Sequence, residues 1–204
     1  MVSTFGGLIG VMGIEHGLGE ILQGNTVTDT GLILSWPDVP FFAALSGEPA
    51  FTLIPNLLIT GILAVLFSLA YLVCAVWFVR HRHGALTMML LTVPMFLFGA
   101  GIFPPFIGLL IGIAATRIHA PLSGWRRSVS SGVRRSLGAA WPWLFGAGLV
   151  AWLGMFPGVP FLAHFFGFIN ETLIYTLLGC MFGFLFLSSL AGLARDARSS
   201  APAA

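Results

Sequence analysis

Read as apolar runs broken by polar residues, the chain consists of long apolar stretches with short, mostly basic punctuation between them. A membrane-crossing helix needs about 20 apolar residues at about 1.5 Å rise each. The pattern predicts a first span over Thr4–Leu22 and a second over Ile54–Val79, which contains the uncharged run ITGILAVLFSLAYLVCAVWFV. Two more spans are expected over Leu137–Phe156 and between Phe161 and Leu193. The stretch Ala85–Thr116 is too long for one crossing and short for two.

The flanks of that stretch decide its path. Arg80 and Arg82 precede it, and Arg117, Arg126, Arg127, Arg134 and Arg135 follow it. Short Arg-rich loops stay cytoplasmic, so both flanks belong on one side and the segment must go in and come back. Gly99, Gly101, Pro104 and Pro105 in GAGIFPP supply the turn. The expectation is a short helical hairpin; the other reading is a re-entrant loop buried in protein. The fold class that follows is an all-α polytopic membrane protein. It has about six transmembrane helices, N-in/C-in, with a short central hairpin and a single transmembrane domain over residues 1–198. Residues 23–53, with Asp29, Asp38 and Glu48 and no Arg, form an extracytoplasmic loop. Residues 117–135 form a basic cytoplasmic loop, Pro157–Pro160 an outer turn, and residues 199–204 a disordered tail. All nine Arg then fall on the inner side.

Composition agrees. Apolar residues make up 57% of the 204 and charged residues 8%, with a mean hydropathy of +0.98. That is too little charge to coat a water-exposed domain, and it excludes a disordered chain or a nucleic-acid binder. The expected location is a cell membrane, of the bacterial inner-membrane type, with the bilayer as partner and anionic lipids at the cytoplasmic face. The N-terminus lacks a basic n-region and is interrupted by Glu15, His16 and Glu20, so it reads as a retained span. Cys74 and Cys180 lie in apolar runs and predict neither a structural disulfide nor a zinc cluster.

Two loops have character. In the basic loop, Trp125, Val129, Val133 and Leu137 recur every four residues beside Arg126, Arg127, Arg134 and Arg135. Either this is an interfacial helix with its arginines on lipid headgroups, or it is an ordinary positive-inside loop. In the outer loop, Trp36, Phe41 and Phe42 near Pro37 and Pro40 predict a segment on the membrane surface or over the bundle. Residues 37–47, PDVPFFAALSG, match residues 157–167, PGVPFLAHFFG, at six positions, as an internal repeat or by chance.

Ionisable groups within a span invite a functional reading. On the first helix His16, Glu20 and Gln23 share a face, with Glu15 roughly 100° away. Gly6, Gly10, Gly13 and Gly17 form the adjoining face, a stripe that lets another helix approach closely. In the last helix His164, Glu171 and Tyr175 share a face by their spacing of seven and four. The two sets lie at compatible depths and would meet if these helices packed together. His81, His83 and His119 are expected at the solvated inner boundary, and Asn56 and Thr60 one turn apart in the second span.

Three functions compete. The leading one is a structural or assembly role through helix packing, with a membrane-protein partner or a second copy of the chain. The alternative is a small transporter or proton/cation pathway that uses the outer Glu/His cluster. The third is a haem or divalent-metal redox site with His ligands. The absence of GxSxG, HExxH and P-loop patterns leans away from an enzyme.

Overall fold

The computed structural model describes residues 1–45, 47–119 and 129–199. Arg126, Arg127 and the tail at 200–204 lie outside the described residues. The described part is mostly helical, and its contacts gather into two compact units.

The first unit, residues 2–119, begins with α1 (Val2–Leu22). Its glycines face α2 (Leu57–Val73), which continues through a wider π-turn at Cys74–Phe78. Cβ atoms built on these glycines would lie 2.6 Å from Ala75 Cβ at Gly6, 2.6 Å from Leu72 Cβ at Gly10, 2.3 Å from Ser68 Oγ at Gly13 and 2.7 Å from the Gly61 carbonyl at Gly17. The partners descend in number as the glycines ascend, so the pair is antiparallel, and only glycine allows so close an approach. Asn56 caps α2, its side-chain oxygen accepting from the Ile59 amide at 3.1 Å.

The stretch after α2 forms α3 (Gly84–Leu97) and α4 (Phe103–Ala115). The reversal uses Gly99 at φ +86° and Gly101 at φ +78°, conformations that a side chain disfavours. Pro104 and Pro105 sit in the first turn of α4, where the missing amide costs nothing. At 14 and 13 residues, these arms extend about 20 Å, less than a ~30 Å bilayer core. The core of the unit gathers Ile9, Ala64, Tyr71, Met88, Met95 and Ala100. Arg80 and His119 meet at one end, His119 Nε2 lying 3.3 Å from the Arg80 carbonyl.

The segment between α1 and α2 builds a cap at the opposite end. β1 (Leu32–Ser35) pairs antiparallel with β2 (Glu48–Phe51), and a 3-10 turn spans Pro40–Leu45 between them. The sheet is bonded to the helical hairpin, with the Leu53 amide donating to the Leu97 carbonyl and the Gly99 amide to the Phe51 carbonyl, both at 2.9 Å. Two strands alone are marginal in water; here the helices support them.

The second unit contains α5 (Ser131–Leu153), α6 (Val159–Phe166) and α7 (Glu171–Ser199). The expected outer turn at Pro157–Pro160 is instead a kink. Phe156 leaves the helical conformation, and α6 then runs to Phe166. Prolines 157 and 160 sit where a helix restarts and tolerates them. The reversal falls at Gly167, with φ +62°, and Asn170 caps α7 by accepting from the Leu173 amide at 2.9 Å. This corrects the single helix expected from Phe161 to Leu193. The two copies of the 37–47/157–167 similarity also sit differently, one between two strands and one after a helix kink. Within the unit α5 and α7 pair closely at Gly148 and Leu185, and Arg195 lies 4.7 Å over the Trp141 ring.

Among the described residues, three helical stretches are long and apolar enough to cross a membrane: Leu57–Phe78, Ser131–Phe166 and Glu171–Ala197. Substituting Gly17 by Leu should force the Gly61 and Ala64 contacts apart, at a cost of about 1–3 kcal/mol. Thermal unfolding in detergent should show a midpoint lowered by several degrees. Gly146→Ala, where a Cβ meets nothing within 4 Å, should leave that midpoint unchanged or raise it; equal losses in both variants would refute the packing assignment.

Candidate functional site

Strand register determines the site. Ser35 and Glu48 are cross-strand partners at the end of the sheet. Between them sits the imidazole of His16, which α1 delivers from below: Nδ1 lies 3.0 Å from Ser35 Oγ and Nε2 lies 3.0 Å from Glu48 Oε2. The ring is buried, whereas the Glu48 side chain is 52% exposed. A buried histidine thus joins an exposed carboxylate to a buried hydroxyl.

Trp36 completes the enclosure. It is fully buried and adopts φ +55°, a left-handed conformation costly for a bulky residue. Its ring lies 5.4 Å from that of His16 and 5.8 Å from that of Phe42. Room for it exists because position 19 is glycine; a Cβ there would approach Trp36 to 2.5 Å. Gln23 ties the end of α1 to β1, its amide donating to the carbonyls of Gly19 at 3.2 Å and Leu34 at 3.3 Å.

One turn beyond His16, Glu20 is fully buried. Its carboxyl faces no cation in any ion pair among the described residues, and the Ser35 hydroxyl approaches it without closing a well-formed hydrogen bond. An ionised carboxylate so enclosed requires a counter-charge or a proton. The hairpin turn closes directly over both side chains. A Cβ on Gly99 would fall 2.5 Å from Glu20 Oε2, and one on Gly101 would fall 2.6 Å from His16 Nε2. These glycines therefore answer two demands at once, left-handed backbone and contact with the polar pair.

The structure brings His16, Glu20 and Gln23 together beneath the cap. Glu15 lies half-buried on the same helix. His164 stands on α6 and Glu171 and Tyr175 on α7, all exposed, in the second unit. The break at Gly167 removes the shared face expected for these three. Arg134 and Arg135 occupy the first turn of α5, not a loop, with Arg134 donating to the Val129 carbonyl. Ser35, Trp36, Glu48, Gly99 and Gly101 were not anticipated as site residues.

Both ring nitrogens of His16 are engaged, so a haem iron or divalent ion could reach one only by displacing Ser35 or Glu48. Among the described residues no three His, Cys, Asp or Glu converge as a metal site would require. What the arrangement does permit is proton transfer. A histidine accepts at one nitrogen and releases at the other, and a hydroxyl can rotate to pass the proton on.

Comparison with protein-family models, with curated proteins and with solved structures returns no match.

The turn should be coupled energetically to the carboxyl beneath it. Gly99→Ala is expected to destabilise the protein by about 1–3 kcal/mol, part of it from collision with Glu20. In a double-mutant cycle with Glu20→Ala, the two losses should fall short of additive by at least 0.5 kcal/mol, roughly the least that contacting residues show. Strict additivity in detergent unfolding would separate the turn from the site.

Proposed function

We propose that residues 2–119 form a proton-handling membrane module whose working groups are Glu48, His16, Ser35 and Glu20. The observation that carries this reading is the enclosed Glu20 carboxyl, one helical turn from a buried imidazole that contacts both an exposed carboxylate and the Ser35 hydroxyl. In the proposed path a proton arrives at Glu48 and moves to His16 Nε2. The ring releases its Nδ1 proton to Ser35 Oγ, and the Ser35 hydroxyl proton passes to the Glu20 carboxylate. Each step exchanges one O–H or N–H bond for another, so charge and atoms balance. Further buried polar groups lie along the bundle: Thr60, Ser68, Tyr71 and Thr92. Tyr71 donates to the Gly108 carbonyl at 2.9 Å. They offer a continuation away from the cap.

The membrane frame of this reading is six crossings in a cell membrane, with the cap outside and both termini inside. The positions of the Arg residues support it. The turn once placed at Pro157–Pro160 moves to residues 167–170. Assembly with a partner through the glycine stripe finds less support, because Gly6, Gly10, Gly13 and Gly17 are spent on α2 of the same chain.

Two measurements test the proposal. Proteoliposomes carrying the protein and a pH-sensitive dye should take up protons under an imposed gradient faster than empty vesicles. Glu20→Gln should reduce uptake to the empty-vesicle level while keeping the wild-type melting midpoint. Wild-type vesicles no faster than empty ones, or a Glu20→Gln protein as fast as wild type, would overturn the pathway. For the topology, single cysteines at Thr30 and Ser130, both exposed, should label from opposite faces in a background lacking Cys74 and Cys180. Labelling from one face would refute the six-crossing arrangement.

A further inference from the structure

At the end of the first unit away from the cap, a cleft of about 690 Å³ opens between α2 and α3. Its walls are Ala70, Val73, Cys74 and Phe78 on one side and Thr87 and Leu91 on the other. The turn His81–Arg82–His83–Gly84 completes the lining, which holds no acidic residue among the described residues. The volume is that of a ligand pocket. The lining divides cleanly into an apolar trough and a basic end.

The turn is rigid. The His81 amide donates to the Phe78 carbonyl and the Gly84 amide to the His81 carbonyl, both at 3.0 Å, and the His83 carbonyl accepts from the Thr87 amide at 2.8 Å. A Cβ at Gly84 would fall 2.2 Å from the Phe78 carbonyl oxygen, so the turn is pressed against the end of the π-turn. The His81 ring packs 5.4 Å from that of Phe78. The π-turn widens α2 where the trough meets the basic residues, and such turns recur at functional sites.

We infer that this cleft binds one anionic phospholipid, an acyl chain lying in the trough and the phosphate held by Arg82 with His81 and His83. Charge complementarity names the occupant. An apolar trough alone suits any lipid tail. The permanent charge of Arg82, with His81 and His83 on the same lining, favours a headgroup with net negative charge over a zwitterionic one. The inference is independent of the proton path, since none of its residues touches His16 or Glu20.

The test uses the delipidated full-length protein and native mass spectrometry, with dioleoyl phosphatidylglycerol and dioleoyl phosphatidylcholine offered in competition. One phosphatidylglycerol should be retained in preference, by roughly fivefold, as expected for a single Arg charge near the membrane surface. Arg82→Gln should remove that preference. Ala70→Trp should fill the trough and lower retention of both lipids. Arg134→Gln with Arg135→Gln should change neither. Equal retention of the two lipids by the wild type would overturn the inference. So would a preference that survives Arg82→Gln in a protein with the wild-type melting midpoint, or one abolished by the Arg134/Arg135 variant instead. If Ala70→Trp fails to fold, Arg82→Gln decides alone.

Discussion

The structure of the first unit depends on a cross-strand pair gripping a buried imidazole. Ser35 and Glu48 face each other across a two-stranded sheet too small to stand alone. His16 supplies the polar anchor that fixes the sheet over the helix ends, and the sheet satisfies both ring nitrogens of a histidine that would otherwise be stranded. The same sheet is bonded to the hairpin turn, so α1, the cap and the Gly99–Gly101 reversal are locked into one arrangement. Trp36 in a left-handed conformation and a buried Glu20 carboxyl with no ion-pair or well-formed hydrogen-bond partner among the described residues are the costs this arrangement carries. Strain and buried polar groups gathered at one point are the observation on which the functional proposal rests.

Close approach is the second theme. α1 carries glycine where α2 and its π-turn press closest, at Gly6, Gly10, Gly13 and Gly17, and where the Trp36 ring packs, at Gly19. Two glycines of the hairpin turn do the same from the opposite direction, against Glu20 and His16. The side chains of His16 and Glu20 are thereby packed against the backbone of the hairpin turn. This is how the Glu20 carboxyl can be buried in an otherwise apolar bundle.

Much of this was legible in the sequence, for physical reasons. The apolar runs and arginine positions outlined the helices, and GAGIFPP located the hairpin reversal, because glycine and proline act locally. His16, Glu20 and Gln23 stood out because helical period alone puts them on one face. A segment over the bundle was one of two readings of Trp36, Phe41 and Phe42, but the strands of the cap and their pairing were not legible. Ser35 and Glu48 are ordinary residues until strand register pairs them, and register depends on contacts between segments thirteen residues apart. The alternation in LILS and EPAF was the available hint, and it is short. The second unit was misread at PGVP for a related reason: two prolines resemble a turn, yet proline is equally at home where a helix restarts. The true stop, Gly167, lies next to apolar residues that masked it, and the face proposed for His164, Glu171 and Tyr175 dissolved with it.

The central claim is that Glu20 exchanges protons with the cap side through His16 and Glu48. Infrared difference spectroscopy of the membrane-reconstituted protein, after a rapid change of external pH, reads this directly. The account predicts a carboxyl difference band that Glu20→Gln removes and whose rate of appearance slows when Glu48 is replaced by Gln. A Glu20 band that forms equally fast without the Glu48 carboxylate, or a spectrum in which Glu20 never changes protonation, would contradict it.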